Sequence, residues 1–320
     1  MNSKRREFLK KLGLLGSSTI VPGALICGCR THSTRLSDDD IHLSFDEPFS
    51  ASKDLVISSP AGGLEPRNDF QSHIEKIELS NERLKRKSRN FNQDFDEDLF
   101  IRGKEYSILL SVINKINKLQ KYVGHGHFNI VDWNDGVAFT KKARGTGPGF
   151  TREEIKFLEK IFYRDASEYG FMGEKVFTEI DRGINRRNAV KIPYTGHYLV
   201  RGPSYELYQK IKQKVGTDLV LTSGARGTMK QFYLFLSKVI ACKGNASKAS
   251  RSIAPPGYSF HGRGDFDIGS RFLGEKNFTA DFAKTKEYEK LVELGFVSIR
   301  YEQDNLQGVR FEPWHIKVDV

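Results

Sequence analysis

Ser259-Phe260-His261-Gly262-Arg263-Gly264-Asp265-Phe266-Asp267 places a histidine and two aspartates within a few residues, and Glu312-Pro313-Trp314-His315 adds a glutamate and a second histidine near the other end of the chain's last third. A hydrolytic zinc needs three protein ligands, a fourth position open to water, and a carboxylate able to take that water's proton. His261, Asp267 and His315 can supply two imidazoles and one carboxylate, with Glu312 as the base. An ion so held would lower the pKa of a bound water from about 15.7 towards ~7 and polarise a carbonyl. Residues three apart on a plain strand face opposite ways, so Glu312 and His315 reach one ion only if the chain bends between them. Pro313 makes that bend reasonable, because it removes a ladder donor and holds Glu312 extended.

Other segments extend the pattern. Ser223-Gly224-Ala225-Arg226 is followed by Gln231, and Pro256-Gly257-Tyr258-Ser259 leads into Phe260-His261. In that order, with Glu312-Pro313-Trp314-His315, these motifs resemble the VanY-type D-alanyl-D-alanine carboxypeptidases, of the metallopeptidase group that also holds lysostaphin-like enzymes and the hedgehog fold. The resemblance runs over roughly residues 205–318. It implies an α+β domain whose antiparallel sheet, flanked by helices, carries a single zinc site. It also implies His261, Asp267 and His315 as ligands and Glu312 as general base. Arg226 would meet the peptide near the scissile carbonyl or terminal carboxylate, a role that suits a forked guanidinium. Ser259, Gln231 and Trp314 would line the substrate side, with Tyr258 and Phe260 as further walls. One departure falls on a ligand: the aspartate comes one residue earlier than the family spacing. Asp267 is favoured by its apolar neighbours Phe266 and Ile268, but Asp265 shares its strand face and stays open.

The N-terminal residues suggest where such chemistry takes place. Lys4-Arg5-Arg6-Glu7-Phe8-Leu9-Lys10 resembles a twin-arginine export signal, and Ile26-Cys27-Gly28-Cys29 a lipoprotein cleavage box with Cys29 as the acylated residue. The expectation is export by the twin-arginine machinery to the periplasm or cell envelope, either lipid-anchored through Cys29 or soluble. The chain has three cysteines, two of them in this leader, which argues against a disulfide framework. Its 320 residues carry a formal charge of +11. Residues 1–28 contain five basic groups and one acid, so the product cut before Cys29 keeps +7. A basic exported protein suits an anionic envelope, and no nucleic-acid motif accompanies the charge.

Residues 30–100 read as a polar tether with a basic run, Arg83-Leu84-Lys85-Arg86-Lys87, and residues 101–200 as a helical accessory region. Ile108, Leu109, Val112, Ile113, Ile116 and Leu119 predict a helix over 104–122 stopped by Gly124, and Thr151 with Glu154 a capping box opening another. Beyond residue 200, a helix over 205–215, a strand over 218–222, a helix capped by Thr228 and Gln231, a helix over 284–294, and strands over 296–301 and 309–318 complete the domain. His125, His127 and His197 read as isolated rather than ligating. The function expected is a zinc peptidase on peptidoglycan stem peptides, removing terminal D-Ala. A crosslink endopeptidase of the same group and a non-catalytic wall-binding protein remain as alternatives.

Overall fold

The computed structural model describes residues 67–319. The twin-arginine-like motif, Cys27, Cys29 and the first part of the expected tether lie outside the described residues.

The described part of that tether has a fixed place in the fold. Helix α1 spans Arg67–Arg89, and residues 90–100 are bonded to the body of the protein. Ile101 N–H donates to Gly244 O at 2.8 Å, and Ala246 N–H to Leu99 O at 2.9 Å. Asp98 is buried against the buried guanidinium of Arg251, which also stacks on Phe95 at 4.7 Å. The basic run is answered locally, since Lys87 lies 2.9 Å and Arg83 2.5 Å from Glu97. Sequence composition missed these partners because Asp98 and Arg251 stand 153 residues apart.

Helix α2 (Gly103–Val123) buries Leu109, Val112, Ile116 and Leu119, and Gly124 ends it with φ of 86°. After a short α3 (His125–Phe128) and α4 (Trp133–Thr140), α5 (Arg152–Tyr163) opens on the expected capping box, Thr151 and Glu154 exchanging bonds. These helices share one core with α7 (Thr228–Ala241), through Phe232, Phe235 and Leu236, and with Tyr258, Tyr301 and Val309. The helical region and the half after residue 200 are therefore packed into each other rather than side by side.

A hairpin of β1 (Ala189–Lys191) and β2 (Tyr198–Val200) precedes α6 (Pro203–Val215). A three-stranded antiparallel sheet follows in the order β3 (Leu219–Ser223), β4 (Phe266–Ser270), β5 (His315–Ile316). Its apolar side, with Leu219, Leu221, Phe266, Ile268 and Ile316, packs on Ile211 of α6 and Leu291 of α8 (Lys286–Glu293) in a second core. The described residues thus form the expected α+β arrangement. Two strands are shorter than the alternation predicts. The 296–301 segment makes a single bridge, Ile299 to Ile316, and only His315–Ile316 of the 309–318 segment is a strand, because the turn at Glu312 and Pro313 interrupts the ladder. Helix α7 also starts differently: its N-cap is Gly227, and Thr228 Oγ donates instead to Arg182 O at 2.9 Å.

Candidate metal centre

The central strand β4 organises the site through its register. Asp267 is opposite Ser223 on β3 and opposite His315 on β5. Directly opposed residues in antiparallel strands project side chains to the same face about 4.5–5.5 Å apart. His261 arrives from the tight turn Phe260–Gly262 that precedes β4. One ligand atom from each of His261, Asp267 and His315 lies within 4.8 Å of the others, and all three residues are buried. Glu312 joins them through a turn closed by His315 N–H donating to Glu312 O at 3.1 Å. That turn is the required bend, and it leaves Glu312 Oε2 3.6 Å from His315 Nδ1.

The hydrogen bonds decide which atoms face inward. His261 Nδ1 bonds the carbonyl of Gly224 at 2.8 Å, so it carries the proton and Nε2 carries the lone pair. That Nε2 and Asp267 Oδ1 have no hydrogen-bond partner among the described residues, although they lie 3.3 Å apart. His315 Nε2 bonds Asp265 Oδ2 at 2.9 Å, which turns Nδ1 towards Asp267 Oδ1 at 3.4 Å. Two buried electron-pair donors without a hydrogen-bond partner, His261 Nε2 and Asp267 Oδ1, converge on the point that His315 Nδ1 faces. Such an arrangement is costly unless a cation lies among them. Two imidazoles and a carboxylate are also a donor set that zinc accepts. The residues present fit the ion.

Charge effects agree. Burial first, then the nearby Arg226 charge, pushes His261 down to about 4, so it is a neutral donor at pH 7. Burial opposes charge on His315, but the Asp265 hydrogen bond and the charges of Asp267, Asp265 and Glu312 outweigh it and raise its pKa. The carboxylates together call for positive charge at their centre. Burial would raise Asp267 as well, yet the charges around it, the Arg226 guanidinium among them, hold it well below the usual carboxylate range. Burial raises Glu312.

The two aspartates have different surroundings in three dimensions. Asp265 accepts from both arms of Arg300, from Val318 N–H at 2.9 Å and from His315 Nε2. It is the outer carboxylate that orients a histidine, an arrangement common around metals. Asp267 is the one whose open oxygen faces His261 and His315.

Arg226 donates to Ser223 Oγ at 2.9 Å and to Asp267 Oδ2 at 2.6 Å, beside the site and part-exposed. Its loop is packed tightly: a Cβ on Gly224 would come within 2.0 Å of Tyr198 O. Gln231 is buried. Its Nε2 donates to Arg226 O at 3.0 Å and its Oε1 accepts from Gly257 N–H at 2.8 Å, so it ties the arginine loop to the segment before His261. Trp314 is 3% exposed and lies in the second core, with Phe278 against its edge. Tyr258 and Phe260 are core residues too, Phe260 lying under the Arg300 guanidinium at 3.5 Å. Ser259 is buried at the start of the turn that presents His261. Arg310 has no motif to mark it, yet its Nε lies 3.6 Å from Glu312 Oε1. Of the isolated histidines, His125 meets Gln120, and His197 meets Asn129.

Residues 203–318 match the family model VanY, D-alanyl-D-alanine carboxypeptidase. The resemblance carried by the motifs is therefore found independently, over nearly the same residues. No curated protein matches the chain. Among solved structures, the chain is similar to the LdcB LD-carboxypeptidase, described in terms of peptidoglycan recognition, at 20% identity and TM-score 0.33, over 46% of this chain and 66% of that one. It is similar to a mutant of the vancomycin-resistance D,D-pentapeptidase VanY in complex with Zn(II), at 22% identity and TM-score 0.33, over 45% and 86%. VanYB in complex with D-alanine-D-alanine is matched at 24% identity and TM-score 0.30, over 43% and 84%.

Proposed function

We propose that this chain is a zinc peptidase that removes the terminal D-Ala from peptidoglycan stem peptides. The observation that carries the proposal is the convergence of His261 Nε2, Asp267 Oδ1 and His315 Nδ1, buried and turned towards one another, with Glu312 beside them. The VanY match over 203–318 supports the substrate class.

His261, Asp267 and His315 would hold the ion. Zinc in such a donor set supplies Lewis acidity, making a nearby water a stronger acid and a carbonyl a better electrophile. Glu312 takes a proton from the attacking water and returns it to the leaving amine; its burial, which raises its pKa, suits a group that must be protonated midway. Arg226 keeps Asp267 Oδ2 occupied, and its remaining N–H groups face developing negative charge or the peptide carboxylate. Asp265 holds the His315 ring in the orientation and tautomer that present Nδ1. The leader motifs support export, so that the enzyme meets its polymer outside the cytoplasm.

The test is to incubate the zinc-loaded protein and its Glu312→Gln variant with muropeptides ending in D-Ala-D-Ala, and to identify products by mass. Release of D-Ala by the wild type, and a loss of about 10²–10⁴-fold in the variant with zinc content unchanged, is expected. Cleaved dimers without free D-Ala would make it an endopeptidase. Intact substrate throughout would leave a wall-binding protein.

A further inference from the structure

The segment ahead of the matched region reaches the candidate base. The Arg310 guanidinium lies between two aromatic rings, Phe91 at 5.0 Å and Trp314 at 4.9 Å. Its Nε has no hydrogen-bond partner among the described residues, and faces Glu312 Oε1 at 3.6 Å. The other carboxylate oxygen, Oε2, is the one 3.6 Å from His315 Nδ1. Each end of the carboxylate is thus assigned, one to a cation and one to the metal centre.

The backbone carrying Arg310 is held by the same segment. Arg310 N–H donates to Arg251 O at 2.9 Å. Arg251 is anchored in turn by Asp98, by Gln93 O at 2.7 Å and by the Phe95 ring. Arg89 forks onto Asp304 at 2.5 and 2.7 Å, at the start of the loop that ends in Glu312. Residues 89, 91, 93, 95 and 98 all precede the VanY match.

We propose that residues 89–98 form a brace on the base: Phe91 fixes the plane of Arg310, and Arg310 is a positioning residue that aims Glu312. The proposal rests on the reading of Glu312 as general base. A carboxylate turns easily about its side-chain torsions, while proton transfer tolerates displacements of only about 0.5 Å. A planar guanidinium clamped between two rings offers one carboxylate oxygen a stationary partner, which a flexible ammonium does not.

The experiment uses the full zinc-loaded chain and a stem pentapeptide ending in D-Ala-D-Ala. Arg310→Met is expected to lower kcat about 10–100-fold with KM within about twofold and zinc stoichiometry unchanged, and Arg310→Lys to recover only part of it. Phe91→Leu, which leaves Arg310 in place but removes one face, is expected to lower kcat by a few-fold in the same way. A raised KM with kcat retained would make Arg310 a substrate contact and overturn the proposal, as would wild-type kcat in both Arg310→Met and Phe91→Leu. Absence of turnover in the wild type would instead defeat the reading of Glu312. The brace is then decided by a crystal structure of zinc-loaded Arg310→Met, where a Glu312 carboxylate unmoved from its wild-type position refutes it.

Discussion

Replacing Asp98 by alanine isolates the most consequential contact between the N-terminal segment and the rest of the molecule. The Asp98 side chain is 0% exposed and that of Arg251 2%. Without the carboxylate, Arg251 keeps Gln93 O at 2.7 Å, the Phe95 face and the weaker charges of Glu97 and Asp94, but no carboxylate bonded to it. Removing one partner of a buried pair costs about 3–5 kcal/mol. Phe95 N–H also loses its acceptor, worth about 0.5–1.5 kcal/mol more, whereas Asn245 retains Asp94 at 2.9 Å. The expected loss is about 3.5–6.5 kcal/mol, a large share of the roughly 5–15 kcal/mol that holds a typical domain folded. Glu97→Ala provides the comparison, since it removes surface pairs with Arg83 and Lys87 worth about 0–1 kcal/mol. Urea unfolding of both variants, with unchanged m-values, gives the two figures. If Asp98→Ala came within about 1 kcal/mol of Glu97→Ala, the segment would not belong to the cooperative unit, and the reasoning here would fail.

Two further outcomes are expected. Asp265→Asn should weaken zinc binding about 10–100-fold in a competition titration against a chelating dye, because it unsettles the His315 ring; unchanged affinity would contradict the orienting role. Lys230 lies over the rings of Phe128 and Tyr233 with no carboxylate paired to it among the described residues, and burial, then Arg226, pushes it down to about 8 from 10.5. Its folded pKa is below the unfolded one, so the charge penalises the fold fully below pH 8, and the penalty fades as pH rises from about 8 to 10.5. Lys230→Met should therefore be more stable than wild type at pH 7, by about 1–3 kcal/mol after allowance for partial exposure, with the advantage shrinking by pH 10. An advantage independent of pH between 7 and 10 in urea titrations would show that the ammonium is not strained.

The site residues that belong to motifs were legible because their chemistry is local. His261, Glu312 and His315 each carry a group with few reasons to recur in that order, and Pro313 already announced a bend. The choice between Asp265 and Asp267 was only weighted towards Asp267 by its apolar neighbours, because alternation puts both on one face and the partners of Asp265, Arg300 and Val318 N–H, are remote in sequence. Gln231 and Trp314 have contacts that their motif positions hide. Their positions fit the family pattern, but a buried amide answering two backbone groups and an indole in a core serve packing, which a motif does not reveal. The brace was invisible: Phe91, Asp98, Arg251 and Arg310 are ordinary residues until the chain brings them together. Helices were read more accurately than strands, since the α2 stripe runs from Ile108 to Leu119, about three turns, while β5 is two residues long.

Asp267 divides its two oxygens between different tasks, Oδ2 to Arg226 and Oδ1 to the metal centre. On the reading proposed, this makes the ion and the peptide linked ligands of one carboxylate. An ion that draws charge from Asp267 loosens its hold on Arg226 and frees that guanidinium for an anionic substrate, and by reciprocity a bound peptide changes the affinity for the ion by the same factor. Zinc loading would then set how tightly the chain holds its substrate, as well as how fast it cuts.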